Sequence, residues 1–179
     1  MGIFSFLRRF ACAAAATAVI LFFSSCPYNE AMKDEMRLAA KLVFAHSWEE
    51  LCDLIDGTPS GGSAFISIEG TLTAGSGSPA AEIKNKKITV LSFSGTGTIL
   101  YASSGSAFAV EEGGLLILGH EHSGGTLIMD GGASTSNSII EVFGGACVMN
   151  KGVILQNNRD AAAVSISPPN NATAAFTMN

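Results

Sequence analysis

The hydrophobic and polar positions of this chain alternate in short runs, and the clearest case is residues 139–158, IIEVFGGACVMNKGVILQNN. Its three apolar runs, 139–143, 146–149 and 153–155, are each the length of a strand. Gly144-Gly145 separates the first two and Asn150-Lys151-Gly152 the last two. Two-residue gaps between strands ordinarily mean hairpins. Here the chain keeps turning instead of alternating long and short connections. The same texture predicts strands at 65–69, 88–91, 98–101, 107–111, 115–118, 126–129, 139–143, 146–149, 153–155, 163–166 and 175–178, with another over 71–73 after a Gly step at Gly70. None leads into a crossover helix; the gaps are Gly, Ser, Asn and Thr.

The runs repeat. Residues 108–118, FAVEEGGLLIL, align with 140–149, IEVFGGACVM, and a third copy is split between 163–166 and 175–179 around Pro168-Pro169-Asn170-Asn171. Val110 to Val142 is 32 residues and Val142 to Ile166 is 24, an irregular period that suits a solenoid whose turns tolerate insertions. One coil cannot bury its apolar residues alone. Stacked coils place like residues over one another and pair each backbone group with the next coil. Gly and Asn supply the positive φ angles of sharp corners. Asn157 and Asn158 are expected in an inward-facing polar turn. The last run, Phe176-Thr177-Met178-Asn179, matches Cys147-Val148-Met149-Asn150 but lacks the half-coil that should follow. An uncapped coil exposes unpaired N–H and C=O groups, so the expectation is a truncated or split version of a longer protein, or an end capped by a partner.

Two helices are predicted ahead of the repeats. Residues 30–46 lack Gly and Pro and place Met32, Met36, Ala40 and Val43 on one face, as in a stalk or a helix packed on the body. In the second, Ser47 and Glu50 form a capping box, Trp48, Leu51, Cys52 and Ile55 an apolar stripe, and Asp56-Gly57-Thr58-Pro59 the stop. A short one-sided helix needs an apolar surface to lie on. This helix, the small-residue loop 60–63 and then Ile66-Ser67-Ile68-Glu69-Gly70-Thr71-Leu72 resemble the opening of right-handed parallel β-helix proteins of the pectate-lyase-like kind. In that family the helix caps the first coil. The spacing of Gly144, Gly145, Met149, Gly152, Ile154 and Asn157 resembles adhesin-like surface proteins of host-associated bacteria. The resemblance spans residues 47–179 and implies an all-β, right-handed parallel β-helix of about four coils with an N-terminal amphipathic cap helix.

The N-terminus reads as an address. Arg8 and Arg9 precede an uncharged apolar run of 14 residues, 10–23, short for a spanning helix and suited to a signal peptide. Phe23-Ser24-Ser25-Cys26 resembles a bacterial lipoprotein signal, which makes Cys26 the lipidated residue; Phe23 stands where Leu is usual, and Pro27 follows the Cys. Ordinary cleavage near Ser25, or an uncleaved anchor, are the alternatives. The expected organisation is a signal peptide at 1–25, a lipid anchor site and helical stalk at 26–46, and the β-helix at 47–179. Several acyl chains give stable membrane anchoring, whereas one chain is marginal. Cys12 leaves with the signal. Cys52 and Cys147 lie among apolar residues and are expected as buried free thiols rather than a disulfide.

Composition adds few candidates for chemistry. Net charge is −5, and loss of residues 1–25 with Arg8 and Arg9 leaves eight basic against fifteen acidic residues, or −7. An acidic body without a basic patch argues against nucleic acid. Pectate-lyase-like enzymes use clustered acidic calcium ligands and an Arg base, but Arg159 is the only Arg after residue 37, and Asp130, Glu141 and Asp160 are scattered. A glycosidase needs two acids facing one groove. His120-Glu121-His122 would place two imidazoles on one side of a strand, yet no third metal ligand is evident and Gly119 and Gly124 predict a loop. Only Tyr101 is available in the body for stacking on a sugar. No catalytic, cofactor or metal residue is assigned. The expected protein is a non-enzymatic, membrane-anchored lipoprotein of the bacterial envelope, at the outer membrane or cell surface, with a host or envelope protein or glycan as partner. The alternatives are a degenerate polysaccharide-active enzyme or a split-gene remnant.

Overall fold

Successive apolar runs go to three different sheets. The computed structural model describes residues 42–179 apart from 76, 103–104, 122, 133–137, 160 and 169–172. The described residues all fall in one unit, Arg37–Asn179. The chain runs β1 (Leu42–Ala45), α1 (Trp48–Asp56), β2 (Ser63–Ile68), β3 (Gly70–Ala74), β4 (Ala81–Ile83), β5 (Lys87–Leu91), β6 (Thr96–Tyr101) and β7 (Phe108–Val110). It continues with β8 (Leu115–Leu118), β9 (Thr126–Asp130), β10 (Ile140–Val142), β11 (Ala146–Met149), β12 (Val153–Gln156), β13 (Val164–Ile166) and β14 (Ala175–Met178). Every third strand returns to the same sheet. Sheet I is β1-β2-β5-β8-β11-β14, sheet II is β3-β6-β9-β12 and sheet III is β4-β7-β10-β13, and each pairing is parallel. This is an all-β parallel solenoid, a β-helix, with four complete coils from β2 to β13 and about five turns when β1 and β14 are included.

The register explains why the sequence repeats. Phe108 and Val110 pair with Ile140 and Val142, which pair in turn with Val164 and Ile166. Leu116 and Leu118 pair with Cys147 and Met149, and these with Phe176 and Met178. Alternate strand residues point to opposite faces, so each sheet sends one column inward. Ile66, Val90 and Leu118 form such a column on sheet I, Leu72, Ile99 and Met129 on sheet II, and Ile83, Val110 and Val142 on sheet III; all are buried. Removing each of these side chains from water stabilises the stack by roughly 1.5–3 kcal/mol before the ordering cost is subtracted. The corner between sheets I and II carries a glycine with positive φ in every coil, Gly70, Gly95, Gly119 and Gly152. That conformation costs a side chain with a Cβ about 1–2 kcal/mol, which accounts for the four glycines at this corner.

Helix α1 closes one end. Ser47 Oγ accepts from the Glu50 N–H at 3.1 Å, and Glu50 Oε2 accepts from the His46 N–H at 2.8 Å, so the reciprocal cap reaches one residue further back than expected. Trp48, Leu51 and Ile55 are buried against the first coil. The Trp48 ring lies 5.2 Å from Tyr101 and 6.0 Å from Phe108, residues of the second coil, and its Nε1–H donates to Pro79 O at 3.2 Å. Lys86 Nζ donates to Ile55 O at 2.9 Å, placing a cation on the orphan carbonyls at the helix C-terminus.

Two expectations need correction. The predicted helix over 30–46 does not reach His46, because Leu42–Ala45 is strand β1, paired from Leu42↔Phe65 to Ala45↔Ile68. Pairing with an existing sheet edge satisfies this backbone and buries Ala45, and it outweighs a weak helical period in a Val- and Phe-containing stretch. The solenoid therefore begins before residue 47. Residues 30–41, like the signal-like 1–25 and Cys26, lie outside the described residues. Among the described residues no helix is long and apolar enough to cross a membrane. The second correction concerns Asn157 and Asn158, which do not form an inward polar turn. Asn157 is exposed, with φ 58°, and Asn158 Nδ2 donates to Ala161 O and Ala162 O at 2.7 and 2.8 Å across its own corner. The stacked asparagines are elsewhere: Asn179 Nδ2 donates to Asn150 Oδ1 at 2.9 Å, and Asn150 Nδ2 to Gly119 O at 3.2 Å.

Candidate binding face

Sheet I has an outer as well as an inner face. Phe65, Thr89, Ile117 and Val148 fall in register on β2, β5, β8 and β11 and point away from the core. They floor a shallow depression of about 280 Å³. Lys87 and Asn150 lie at its margins, and His120 and Glu121 form one wall. A second depression of about 340 Å³ lies on the other side of that wall, lined by Ser123, Gly124, Gly125, Thr126, Lys151 and Gly152. The wall is the connection between β8 and β9, the longest of the four links from sheet I to sheet II. Its tip is a tight turn in which His120 O accepts from Ser123 N at 2.9 Å and from Ser123 Oγ at 2.8 Å. The His120 ring packs edge-on against Phe65, centroids 6.2 Å apart. The loop expected around Gly119 and Gly124 is therefore present, and it folds back over the apolar column.

The acids singled out by sequence are distributed over different sheets. Asp130 ends β9 on sheet II, whereas Glu141 is in the middle of β10 on sheet III, between Ala109 and Ser165. Arg159 follows β12 and is exposed, and Asp160 lies outside the described residues. Asp130, Glu141 and Arg159 line neither depression. Asp130 is engaged by its own protein. Its Oδ1 accepts from the Gly132 N–H at 2.9 Å, and its Oδ2 from Gln156 Nε2 at 2.9 Å and Asn157 Nδ2 at 2.7 Å. Partial burial works against its charge, but the Gly132, Gln156 and Asn157 donors outweigh it and hold the carboxyl below its ordinary range. Asp130 thus ties the third coil to the fourth.

His120 is placed at the rim of sheet I; His122 lies outside the described residues. Among the described residues no three His, Cys, Asp or Glu side chains come together to hold a metal. Cys52 and Cys147 are both free. Burial pushes the Cys147 thiol up to about 12. Burial, followed by the charges of Asp56, Asp53 and Glu49, pushes Cys52 up to about 11. Neither is poised as a nucleophile, since the thiolate is the reactive form. The outer column of sheet I is what sequence reasoning passed over. Its signal was the alignment of 115–118 with 146–149, which sets Ile117 beside Val148 on the face opposite to Leu116, Leu118, Cys147 and Met149. Comparison with known protein families, with curated proteins and with solved structures returns no match.

Proposed function

We propose that this protein is a non-enzymatic lipoprotein of the bacterial cell envelope, held to the membrane through Cys26, whose β-helix presents the outer face of sheet I to a host or envelope protein or glycan. The observation that supports this reading is the face itself. Phe65, Ile117 and Val148, with buried Thr89 between Phe65 and Ile117, form a partly exposed and mainly apolar strip, ringed by Lys87, His120, Glu121 and Asn150, above a parallel sheet. A shallow apolar strip with a mixed polar rim has the anatomy of a macromolecular contact and lacks the depth of a small-molecule pocket. The signal-like N-terminus supports the location, and the resemblance to adhesin-like β-helices supports the class of partner. The polysaccharide-active alternative needs two acids in one groove. The engagement of Asp130 by Gln156 and Asn157, and the position of Glu141 on another sheet, favour the binding reading.

Two measurements test it. Metabolic labelling with a fatty acid should mark the wild type and not Cys26→Ala; equal labelling of both removes the lipid anchor. Adhesion of the purified protein to surfaces coated with matrix proteins, envelope proteins or glycans should fall at least tenfold in Ile117→Asp at unchanged melting temperature. Binding to none of these surfaces, or binding that Ile117→Asp leaves intact, removes the role assigned to sheet I.

A further inference from the structure

The charges of the coiled body are unevenly placed. Residues 42–179 hold five lysines and arginines against twelve acids. Four of those acids are on α1, and four more are on sheet III or the corner that follows it. Of the cations, Lys84 pairs with Glu111 at 2.8 Å, Lys86 donates to Ile55 O, and Arg159 follows β12. The remaining two are Lys87 and Lys151. Both are exposed, and each lines one of the two depressions that flank the His120–Glu121 wall. Among the described residues no acid pairs with either lysine. Glu121 is the only acid among the described residues lining the depressions. Two ammonium groups are therefore stationed on sheet I, while the acids concentrate elsewhere.

The register sets their separation. Lys87 pairs with Leu115 and Leu115 with Ala146, so Lys151 stands two strands across and five residues along from Lys87. At about 4.8 Å between strands and 3.3 Å per residue, the two backbones are roughly 15–20 Å apart. About five or six residues of extended chain span that distance. Ile117 and Val148 lie between the two lysines and floor the first depression. The depressions adjoin where β11 ends, with Asn150 lining the first and Lys151 and Gly152 the second.

We infer, resting on the use of sheet I proposed above, that its partner is an acidic segment of a protein. The segment lies extended across Ile117 and Val148, with one carboxylate at Lys87 and another at Lys151. An apolar side chain between the two carboxylates fills the first depression. Lysines on one face of an otherwise acidic body steer such a segment to that face, and like charge on α1 and sheet III turns it away from the others. A glycan fits less well. Sugar rings stack on open aromatic faces, whereas Trp48 and Tyr101 are buried and Phe65 is met edge-on by His120.

The test uses the full chain in an uncharged detergent and fluorescence anisotropy of labelled synthetic peptides with blocked ends. The first probe is an extended peptide with a central Leu-Val pair and Glu residues five positions apart. The second replaces each Glu by Gln, the third by Lys, and polygalacturonate serves as an anionic glycan competitor. The Glu peptide should bind at least tenfold more tightly than the Gln peptide. Its advantage should shrink as salt shortens the screening length from about 30 Å at 0.01 M to about 8 Å at 0.15 M. The double variant Lys87→Gln, Lys151→Gln should abolish the preference, and Lys87→Glu, Lys151→Glu should transfer it to the Lys peptide. Both positions are exposed, so melting temperature should stay at the wild-type value. A Glu peptide that binds no better than its Gln counterpart, a preference that survives both double variants, or tighter binding of polygalacturonate overturns the inference. If the lysine variants adhere to coated surfaces like wild type while Ile117→Asp does not, the acidic partner is refuted and the proposed function stands. If Ile117→Asp also adheres like wild type, the role of sheet I falls with it.

Discussion

Gly145→Ala tests whether the coils are as closely stacked as the register implies. Gly145 sits in the corner between β10 and β11. A Cβ added there would run into Gly114 O of the preceding coil, and would lie 2.5 Å from Glu111 O and 2.8 Å from Val110 Cγ1. Ordinary carbon–oxygen contacts begin near 3.3 Å, so the corner must move by roughly 0.8 Å. The inter-coil bonds Ala146 N–H to Gly114 O, 2.9 Å, and Phe143 N–H to Val110 O, 2.8 Å, flank this point. Lengthening them by that amount takes both beyond hydrogen-bonding range. Two bonds at about 1 kcal/mol each, with a further penalty for buried groups left unpaired, give a loss of ~2–4 kcal/mol. For a domain of this size the loss is expected to lower the melting temperature by roughly 5–15 °C. Thermal and urea unfolding should be followed by circular dichroism, with the m-value checked because solenoids depart from two-state behaviour when coils uncouple. Gly124→Ala is the control: no atom lies within 4 Å of its added Cβ, and the change is expected to stay within about 0.5 kcal/mol. If Gly145→Ala melts within about 2 °C of Gly124→Ala, the coils are not packed at the spacing described and the reasoning fails.

Three further outcomes follow from the same structure. Trp48→Ala removes the ring that reaches Tyr101 and Phe108 and breaks the bond to Pro79 O; it is expected to cost roughly 3–5 kcal/mol, measured by urea unfolding, and a loss below about 1 kcal/mol would mean that α1 is not a cap. Because the native pKa of Asp130 lies below its unfolded value, its stabilisation is present above the ordinary carboxyl value near 4 and is lost as pH falls through the native value. The stability gap between wild type and Asp130→Asn should therefore shrink as pH drops below about 4; a gap that widens on acidification contradicts the assigned sign. In a background lacking Cys12, Cys26 and Cys52, the thiol of Cys147 should react with a disulfide reagent at pH 8 only after denaturation, and rapid labelling of the native protein would refute its burial among stacked coils.

Strand positions were legible because apolar runs and Gly or Asn punctuation are local features, and the alignment of 108–118 with 140–149 supplied the register that places like residues in one column. The capping helix was legible for the same reason, with Ser47 and its stripe lying within nine residues. β4 escaped because Ala-Glu-Ile between Pro79 and Lys84 is too short to show a period. β1 escaped because its strand character comes from pairing with β2, about 23 residues away. The roles of Gly145 and Asn157 were also misread. Gly145 is required for close approach between coils and not for a positive φ, and Asn157 serves Asp130 of the coil before it at the surface. The outer column of sheet I depends on which face each run turns to solvent, and repeat spacing alone does not state that.

The position of α1 between the first two strands has a consequence in time. Each later coil pairs with the one made just before it, since Ile66, Val90, Leu118 and Met149 are separated by 24, 28 and 31 residues. The helix and the first coil precede the second, whose Tyr101 and Phe108 then complete the packing around Trp48, and each later coil meets a formed template as it appears. Assembly can proceed vectorially from the cap, with no strand waiting for a partner that has yet to be made.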